Sequence, residues 1–318
     1  MVLILALINK GKTLKKLVFA SGMSPQKTSM LRFLLLVESI REFGGSLSHA
    51  PILCLSLDGK NELPERTRNQ LSALNVEFIN VKRANENSRF PFLRKTILSA
   101  QAEAITEGRA ARLTWLDSDT IVVKEPKELL LPENIYLGYR PVHHTVIGSR
   151  FDEPLDLFWK LIYRYCKVPE DRVFPMMTHV DGMQIRPYFN AGLLVVRPER
   201  QLLQTWCNSF LKTYKKAEFQ ELYEKDTRYT VFMHQAVLAG TILSTLTTNE
   251  MVELPTTYNY PLHLFREDVT DDRPSSLEEV VTFRYENFFD DSDWSKKIPA
   301  KEKLRQWIAI TRTGLSTN

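Results

Sequence analysis

Leu113-Thr-Trp-Leu-Asp-Ser-Asp-Thr-Ile-Val-Val123 is the stretch that decides the fold. An apolar run ends abruptly in two carboxylates, Asp117 and Asp119, and a second apolar run follows. A buried strand that carries acids at its carboxyl end is an unusual use of a core element. In extended backbone the side chains at i and i+2 share one side, so both carboxylates can face one cation. Hard oxygen ligands suit Mg²⁺ or Mn²⁺, which bind phosphate oxygens in turn. The same residues also read as a strand ending in an aspartate-rich turn, where Asp caps its own backbone. The flanks have to decide.

Upstream, strands and helices alternate. Leu17–Ala20 is an apolar run broken by Ser21-Gly-Met-Ser-Pro25. Met30, Phe33, Leu34 and Val37 then recur at helical spacing, closed by Gly44-Gly45. Pro51–Leu57 reads as a strand ended by Asp58-Gly59, Gln70–Leu74 as the tail of a polar helix, and Val76–Val81 as a third strand. Leu93, Ile97, Ala100 and Ala104 place one apolar face on a helix over Phe92–Glu107, capped by Gly108. Repeats of this length predict a mostly parallel, doubly wound α/β sheet, whose ligands bind beyond the carboxyl ends of the strands. The paired acids sit at such an end.

Downstream, Leu155, Phe158, Trp159, Ile162, Tyr163 and Cys166 form a helix stripe, followed by a Pro-, Met- and His-containing loop over Val168–Pro187. Asn190–Val196 reads as a strand, and Leu203, Trp206, Cys207, Phe210 and Tyr214 as another helix face. Residues 245–275 look loop-like, and Val280–Arg284 is the last apolar strand. The expectation is one compound domain over 1–318, with a first half over about 15–125 and a second half over about 126–318.

Composition excludes several classes. Hydrophobic residues make up 43% and charged residues 25% of the 318, which is ordinary globular content. A net charge of +4 without an aromatic-interleaved basic stripe argues against nucleic acid. Cys54, Cys166 and Cys207 are scattered among apolar neighbours and read as reduced core thiols of a cytoplasmic protein. The apolar start Met1–Ile8 is too short to span a bilayer and lacks the marks of a signal peptide. A soluble protein is expected, with peripheral membrane contact left open. The Lys296–Arg312 segment, with Leu304, Trp307 and Ile308 on one face, suits a helix on the core or on a membrane surface, the core being favoured.

Four features coincide in order: the turn Ala20-Ser21-Gly22, Asp117-Ser118-Asp119, Tyr188-Phe-Asn-Ala-Gly-Leu-Leu-Val-Val-Arg-Pro198, and His234-Gln235 opening an apolar helix. Together they resemble the GT-A nucleotide-sugar glycosyltransferases, most closely the glycogenin-like and galactosyltransferase-like retaining group. The resemblance implies a GT-A fold with an elaborated C-terminal acceptor region, and sugar transfer from a nucleotide-diphosphate donor, a UDP-sugar favoured. The acceptor would be a hydroxyl of a glycan, a lipid-linked sugar or a protein. It implies that Asp119 and Asp117 hold a divalent Mn²⁺ or Mg²⁺. Asp117 or the Ser118 backbone would meet the ribose, and Ala20 and Ser21 would line the nucleoside pocket. Arg89 and Lys95 would lie near donor phosphate and sugar, Asn190 and Ala191 on the transferred sugar, and Gln235 near the reacting carbon. In physical terms, breaking the sugar–diphosphate bond builds oxocarbenium-like charge on the sugar and negative charge on the leaving phosphate. Cations stabilise the latter and amides orient the sugar. Gly192 would allow close backbone approach to the ligand.

The departures are specific. His234 stands where such retaining members carry Asp, and the C-terminal His-x-x-Gly-x-x-Lys-Pro-Trp segment is replaced by Phe283-Arg-Tyr-Glu-Asn-Phe-Phe289 and Trp294-Ser-Lys-Lys297. Arg284 or Lys297 can hold phosphate there, but an arginine cannot ligate a cation; His234 or His263 is the candidate replacement ligand. Asp181, in His179-x-Asp181, is a candidate base for an acceptor hydroxyl. His143-His144 reads as structural or as part of an acceptor loop. The retaining outcome is left open, as is the alternative of a catalytically idle sugar-nucleotide or protein-binding relative. A metal-dependent phosphotransfer enzyme of the haloacid-dehalogenase kind fits less well, because Ile121 stands where its Thr is needed.

Overall fold

The structure, a computed structural model, describes residues 14–58, 62–82 and 89–316. The apolar run at 1–8 and Gly59 lie outside them. The first half follows the periodicity. β1 (Val18–Gly22), β2 (Ile52–Ser56), β3 (Val76–Asn80) and β4 (Leu113–Leu116) are joined through α1 (Lys27–Phe43), α2 (Glu65–Ala73) and α3 (Leu93–Thr106). β5 (Thr120–Val122) follows the acids, then β6 (Leu137–Pro141) and α4 (Leu157–Cys166). Asp156 caps α4 by accepting from the Trp159 N–H at 2.8 Å. A short hairpin, β7 (Met176–Met177) and β8 (Gln184–Ile185), interrupts the expected loop before β9 (Phe189–Val196). After it come α5 (Leu202–Thr213), α6 (Ala217–Lys225) and α7 (Arg228–Thr245). The chain finishes with β10 (Met251–Glu253), β11 (Tyr260–Pro261), β12 (Thr282–Arg284), α8 (Trp294–Lys297) and α9 (Glu302–Ser316).

The main sheet runs β10-β6-β9-β4-β1-β2-β3. Its pairs are parallel except where β9 enters, antiparallel to both β4 and β6. The expected α/β class and mostly parallel sheet are therefore found. Strand alternation sends Val18, Ala20, Leu113 and Trp115 to one face, packed against α3, α5 and α7. Leu17, Phe19, Ile52 and Cys54 face the other side, under α1. All eight residues of β9 are buried, which is why it reads as a continuous apolar run. A third layer forms where β12 pairs with β5 and β11, with α9 over it.

Some elements depart from the sequence reading. β6 and β10 were not legible as strands, and residues 245–275 are not wholly irregular, since β10 pairs parallel with β6. The last strand covers Thr282–Arg284 only. His234 and Gln235 do not open their helix: α7 starts at Arg228, and its preceding residue Thr227 offers no side-chain cap to signal the start. The C-terminal segment packs on the core, with Leu304 and Ile308 buried and Trp307 edge-on to Phe43 at 4.9 Å. Among the described residues no helix is long and apolar enough to cross a membrane.

Candidate functional site

The reversed direction of β9 builds the site. Because Leu116 lies opposite Leu193, the Asp117 N–H donates to the Gly192 carbonyl at 2.8 Å. The start of β9 thus stands beside the acids that end β4. From the other side, β12 runs antiparallel to β5 and sets Arg284 opposite Thr120, and the Tyr285 N–H donates to the Asp119 carbonyl at 3.1 Å. Arg284 thereby reaches both acids. Its Nε donates to Asp119 Oδ1 at 3.1 Å and its Nη2 to Asp119 Oδ2 at 2.8 Å, while Nη2 lies 3.4 Å from Asp117 Oδ2. That same Asp117 oxygen accepts from Lys95 Nζ at 2.7 Å.

Burial shapes the charges. Asp119 is 5% exposed; burial pushes its pKa up, and Arg284, with help from Lys95 and Arg32, more than reverses this and holds it below the usual carboxylate range. Burial likewise opposes the Arg284 charge, but Asp119 and Asp117 outweigh it and raise the guanidinium pKa. The four groups form a compensated network in which each acid has a cation.

Two cavities flank this network. The first, of about 340 Å³, is walled by the β1 turn (Ser21 to Ser24), Trp115, Asp117, Ser118 and Asp119, with Arg32, Arg94, Lys95 and Arg284 as its cationic side chains. Four cationic side chains against two carboxylates, with Arg94 also paired to Asp58 at 2.6 Å, leave a positive balance that favours an anionic ligand. The second, of about 350 Å³, is walled by His143, His144, Tyr188, Asn190, Gln235, His263 and Glu286, among others. Phe92, Lys95, Asp117 and Arg284 belong to both. Phe92 stacks on His234 at 4.4 Å and carries Lys95 Nζ over its ring at 4.9 Å, so the partition is a packed wall.

The expected residues divide accordingly. Ser21 and Ser118 line the first cavity, and the buried Ser21 hydroxyl has no partner among the described residues. Ala20 is buried beside it and is not part of the lining. Asn190 and Gln235 line the second cavity, but part of each side chain is committed to β9. Asn190 Oδ1 accepts from the Gly192 N–H at 2.8 Å; Gln235 accepts from the Ala191 N–H at 3.1 Å and donates to the Tyr188 hydroxyl at 3.3 Å. Ala191 is wholly buried and reaches the site only through that bond. Arg89 is turned to α6, where Nη1 donates to Gln220 at 3.2 Å and the guanidinium lies over Tyr223. Asp181 lines neither cavity; its carboxylate accepts from the Thr145 N–H at 3.1 Å and from the Thr178 hydroxyl. Lys297 pairs with Asp291 and is likewise outside both. Gly192 makes room for protein atoms: a Cβ there would lie 2.9 Å from Arg284 Nη1 and 3.1 Å from Asp117 Oδ2.

The divalent ion expected on Asp117, Asp119 and His234 or His263 does not fit these donors. Both carboxylates face cationic side chains. His234 is buried and held well below its usual pKa by burial and by Lys95, with Nδ1 donating to the Val231 carbonyl at 3.0 Å. His263 stands in the second cavity, Nε2 3.5 Å from Glu286 Oε1. Among the described residues no group of three or more His, Cys, Asp or Glu side chains is placed to hold a metal.

Glu286 is the functional candidate that sequence reasoning missed. Apart from Asp117 it is the carboxylate of the second cavity, 3.7 Å from Arg284 Nη2. Its φ of +42 is a conformation non-glycine residues rarely hold outside constrained sites. Arg32 pins its carbonyl at 2.9 Å. No local signal marks it.

Comparison with known proteins adds the following. No curated protein matches the chain. Similar solved structures include the glycosyltransferase GlyE of Streptococcus pneumoniae (16% identity, 94% of this chain and 60% of that one, TM-score 0.49). Others are the galactosyltransferase LgtC with donor and acceptor sugar analogues (15%, 95% and 95%, TM-score 0.46) and the bifunctional glycosyltransferase WbbM (12%, 87% and 46%, TM-score 0.43). The chain spans about 60% of the length of GlyE. The model of the Rhodobacterales glycosyltransferase domain matches residues 27–244, from the start of α1 to the end of α7, and the chain belongs to that family.

Proposed function

We propose that the chain transfers a sugar from a nucleotide-diphosphate donor, a UDP-sugar by preference, to a hydroxyl acceptor, with the reaction at the wall the two cavities share. That shared wall is the observation that carries the reading. A donor lying in the first cavity would set its nucleoside against the Ser21 turn and its diphosphate on Lys95 and Arg284. The sugar would project past Phe92 into the second cavity, towards Asn190 and Gln235. The donor bond between the anomeric carbon and the diphosphate oxygen breaks, and its electron pair leaves on the phosphate. Lys95 and Arg284 then meet the charge where it develops. A new bond forms from the anomeric carbon to the acceptor oxygen, whose proton passes to the Glu286 carboxylate. Gln235 and Asn190 act as positioning residues, since their bonds to β9 fix them before substrate arrives.

The acceptor is a glycan, lipid-linked or protein hydroxyl. The setting is cytoplasmic, in keeping with three buried, unpaired cysteines; the donor half runs over about 15–125 and takes Arg284 from the later part of the chain, the rest of which frames the acceptor. Incubation with UDP- and GDP-sugars and a panel of simple glycosides, scored for nucleoside diphosphate release and for product, tests the reading. Glu286→Gln should lower kcat on the order of 100-fold, the scale of general-base catalysis, with donor affinity unchanged. Donor binding without release of nucleoside diphosphate for any acceptor would favour the idle relative instead.

A further inference from the structure

We propose that Arg284, in place of a divalent cation, holds the donor diphosphate, so that the donor site works without metal; this rests on the donor-site reading above. The guanidinium lies where a cation bridging the two acids would sit, doubly bonded to Asp119 at 3.1 and 2.8 Å. Asp117 gives one oxygen to both Arg284 and Lys95. A dication drawn to these carboxylates would have to displace both side chains or endure them as near neighbours of like charge.

The arrangement is built into the fold. Backbone pairing of β12 with β5 delivers Arg284, and Gly192 leaves the space its Nη1 occupies. Nε and Nη2 are spent on Asp119, but Nη1 makes no hydrogen bond with the described residues. It therefore keeps two N–H groups at the wall between the cavities, beside Lys95. Each of these N–H groups can donate one charge-assisted bond to a phosphate oxygen. Asp119 and Asp117, in this arrangement, are positioning residues that fix the guanidinium.

The test is calorimetric titration of UDP and GDP into the full chain, in excess EDTA and in excess Mn²⁺, for wild type and Arg284→Met. The expected result is one nucleotide bound with affinity equal within about twofold in both media. Arg284→Met should weaken it on the order of 10- to 100-fold in either medium, the range of a lost charge-assisted bond. Wild-type binding at least about tenfold weaker in EDTA would overturn the inference and leave the donor reading standing. No binding of either nucleotide in either medium would overturn both. If Arg284→Met fails to fold by circular dichroism, Arg284→Lys serves: it should bind more weakly than wild type and equally in EDTA and Mn²⁺, and a Mn²⁺ requirement would refute the proposal.

Discussion

Replacing Arg284 by methionine keeps most of the side-chain volume and removes the charge. Asp119, with its side chain 7% exposed, then loses its bidentate partner. Asp117 keeps Lys95 at 2.7 Å, so the uncompensated charge falls mainly on Asp119. Removing one member of a buried pair costs about 3–5 kcal/mol; with Asp117 still served, about 3 kcal/mol is expected near neutral pH. Asp119→Asn/Arg284→Met removes both charges and should recover at least about 2 kcal/mol of that, as a coupling energy between neighbours. The pH dependence has a definite sign. In the wild type the folded Asp119 pKa lies below the unfolded value of about 3.9, so its contribution is present above about pH 4 and fades as the medium is acidified through the folded pKa. Without Arg284, burial is opposed only by the weaker pull of Lys95 and Arg32, and the folded pKa moves up. The penalty is then full near neutral pH and vanishes as Asp119 takes up a proton. Urea unfolding of wild type, single and double variants, at about pH 7 and about pH 4, measures this. A single variant within about 0.5 kcal/mol of wild type at about pH 7, or an equal loss at both pH values, would refute the reasoning.

Ser21→Ala removes a buried hydroxyl that has no partner among the described residues. Stability should stay level or rise by up to about 1 kcal/mol, while nucleotide affinity falls several-fold; calorimetry beside thermal melts checks both, and a clear loss of stability would contradict the assignment. Gly240→Ala should destabilise by about 1–3 kcal/mol despite the better helix former, because its Cβ would lie 2.6 Å from Cys166 Sγ at the contact between α7 and α4. Nucleotide affinity in the same samples should not move, and an unchanged unfolding midpoint would show that the two helices separate freely.

The parts of the architecture that were legible are those with a local period. β1 to β4, α1 and α3 each carry their own apolar pattern, α2 shows only as a polar tail, and β9 is a continuous apolar run in both sequence and structure. β6 (Leu-Gly-Tyr-Arg-Pro) and β10 (Met-Val-Glu) mix glycine, proline and charged residues with apolar ones, so neither a run nor an alternation stands out. The site was legible to the same extent. Lys95, Asn190 and Gln235 sit on α3, β9 and α7 and the two acids in the turn after β4; Lys95 and Asp117 line both cavities, Asp119 the first, and Asn190 and Gln235 the second. The Arg284 contact with the acids depends on a pairing across 165 positions, which no window of sequence encodes. Asp181 was drawn in by its place in a polar loop, yet its oxygens serve Thr145 and Thr178. His234 was misplaced on its helix although Asp226 marks where α7 begins, its carboxylate accepting from the Arg228 N–H at 2.9 Å.

The pairing of β5 with β12 has a consequence for biosynthesis. The ribosome makes Asp119 well before the arginine that neutralises it, and at about 5–20 residues per second the interval is roughly 8–33 s. During that time the growing chain can assemble β1 to β4 around two neighbouring carboxylates served by Lys95 and, more weakly, by Arg32. Their mutual repulsion would hold the end of β4 open, so that sheet and site are completed in separate acts. A chain stalled before residue 284 would carry a donor pocket with one cation fewer and with Asp119 lacking its bidentate partner until that strand arrives.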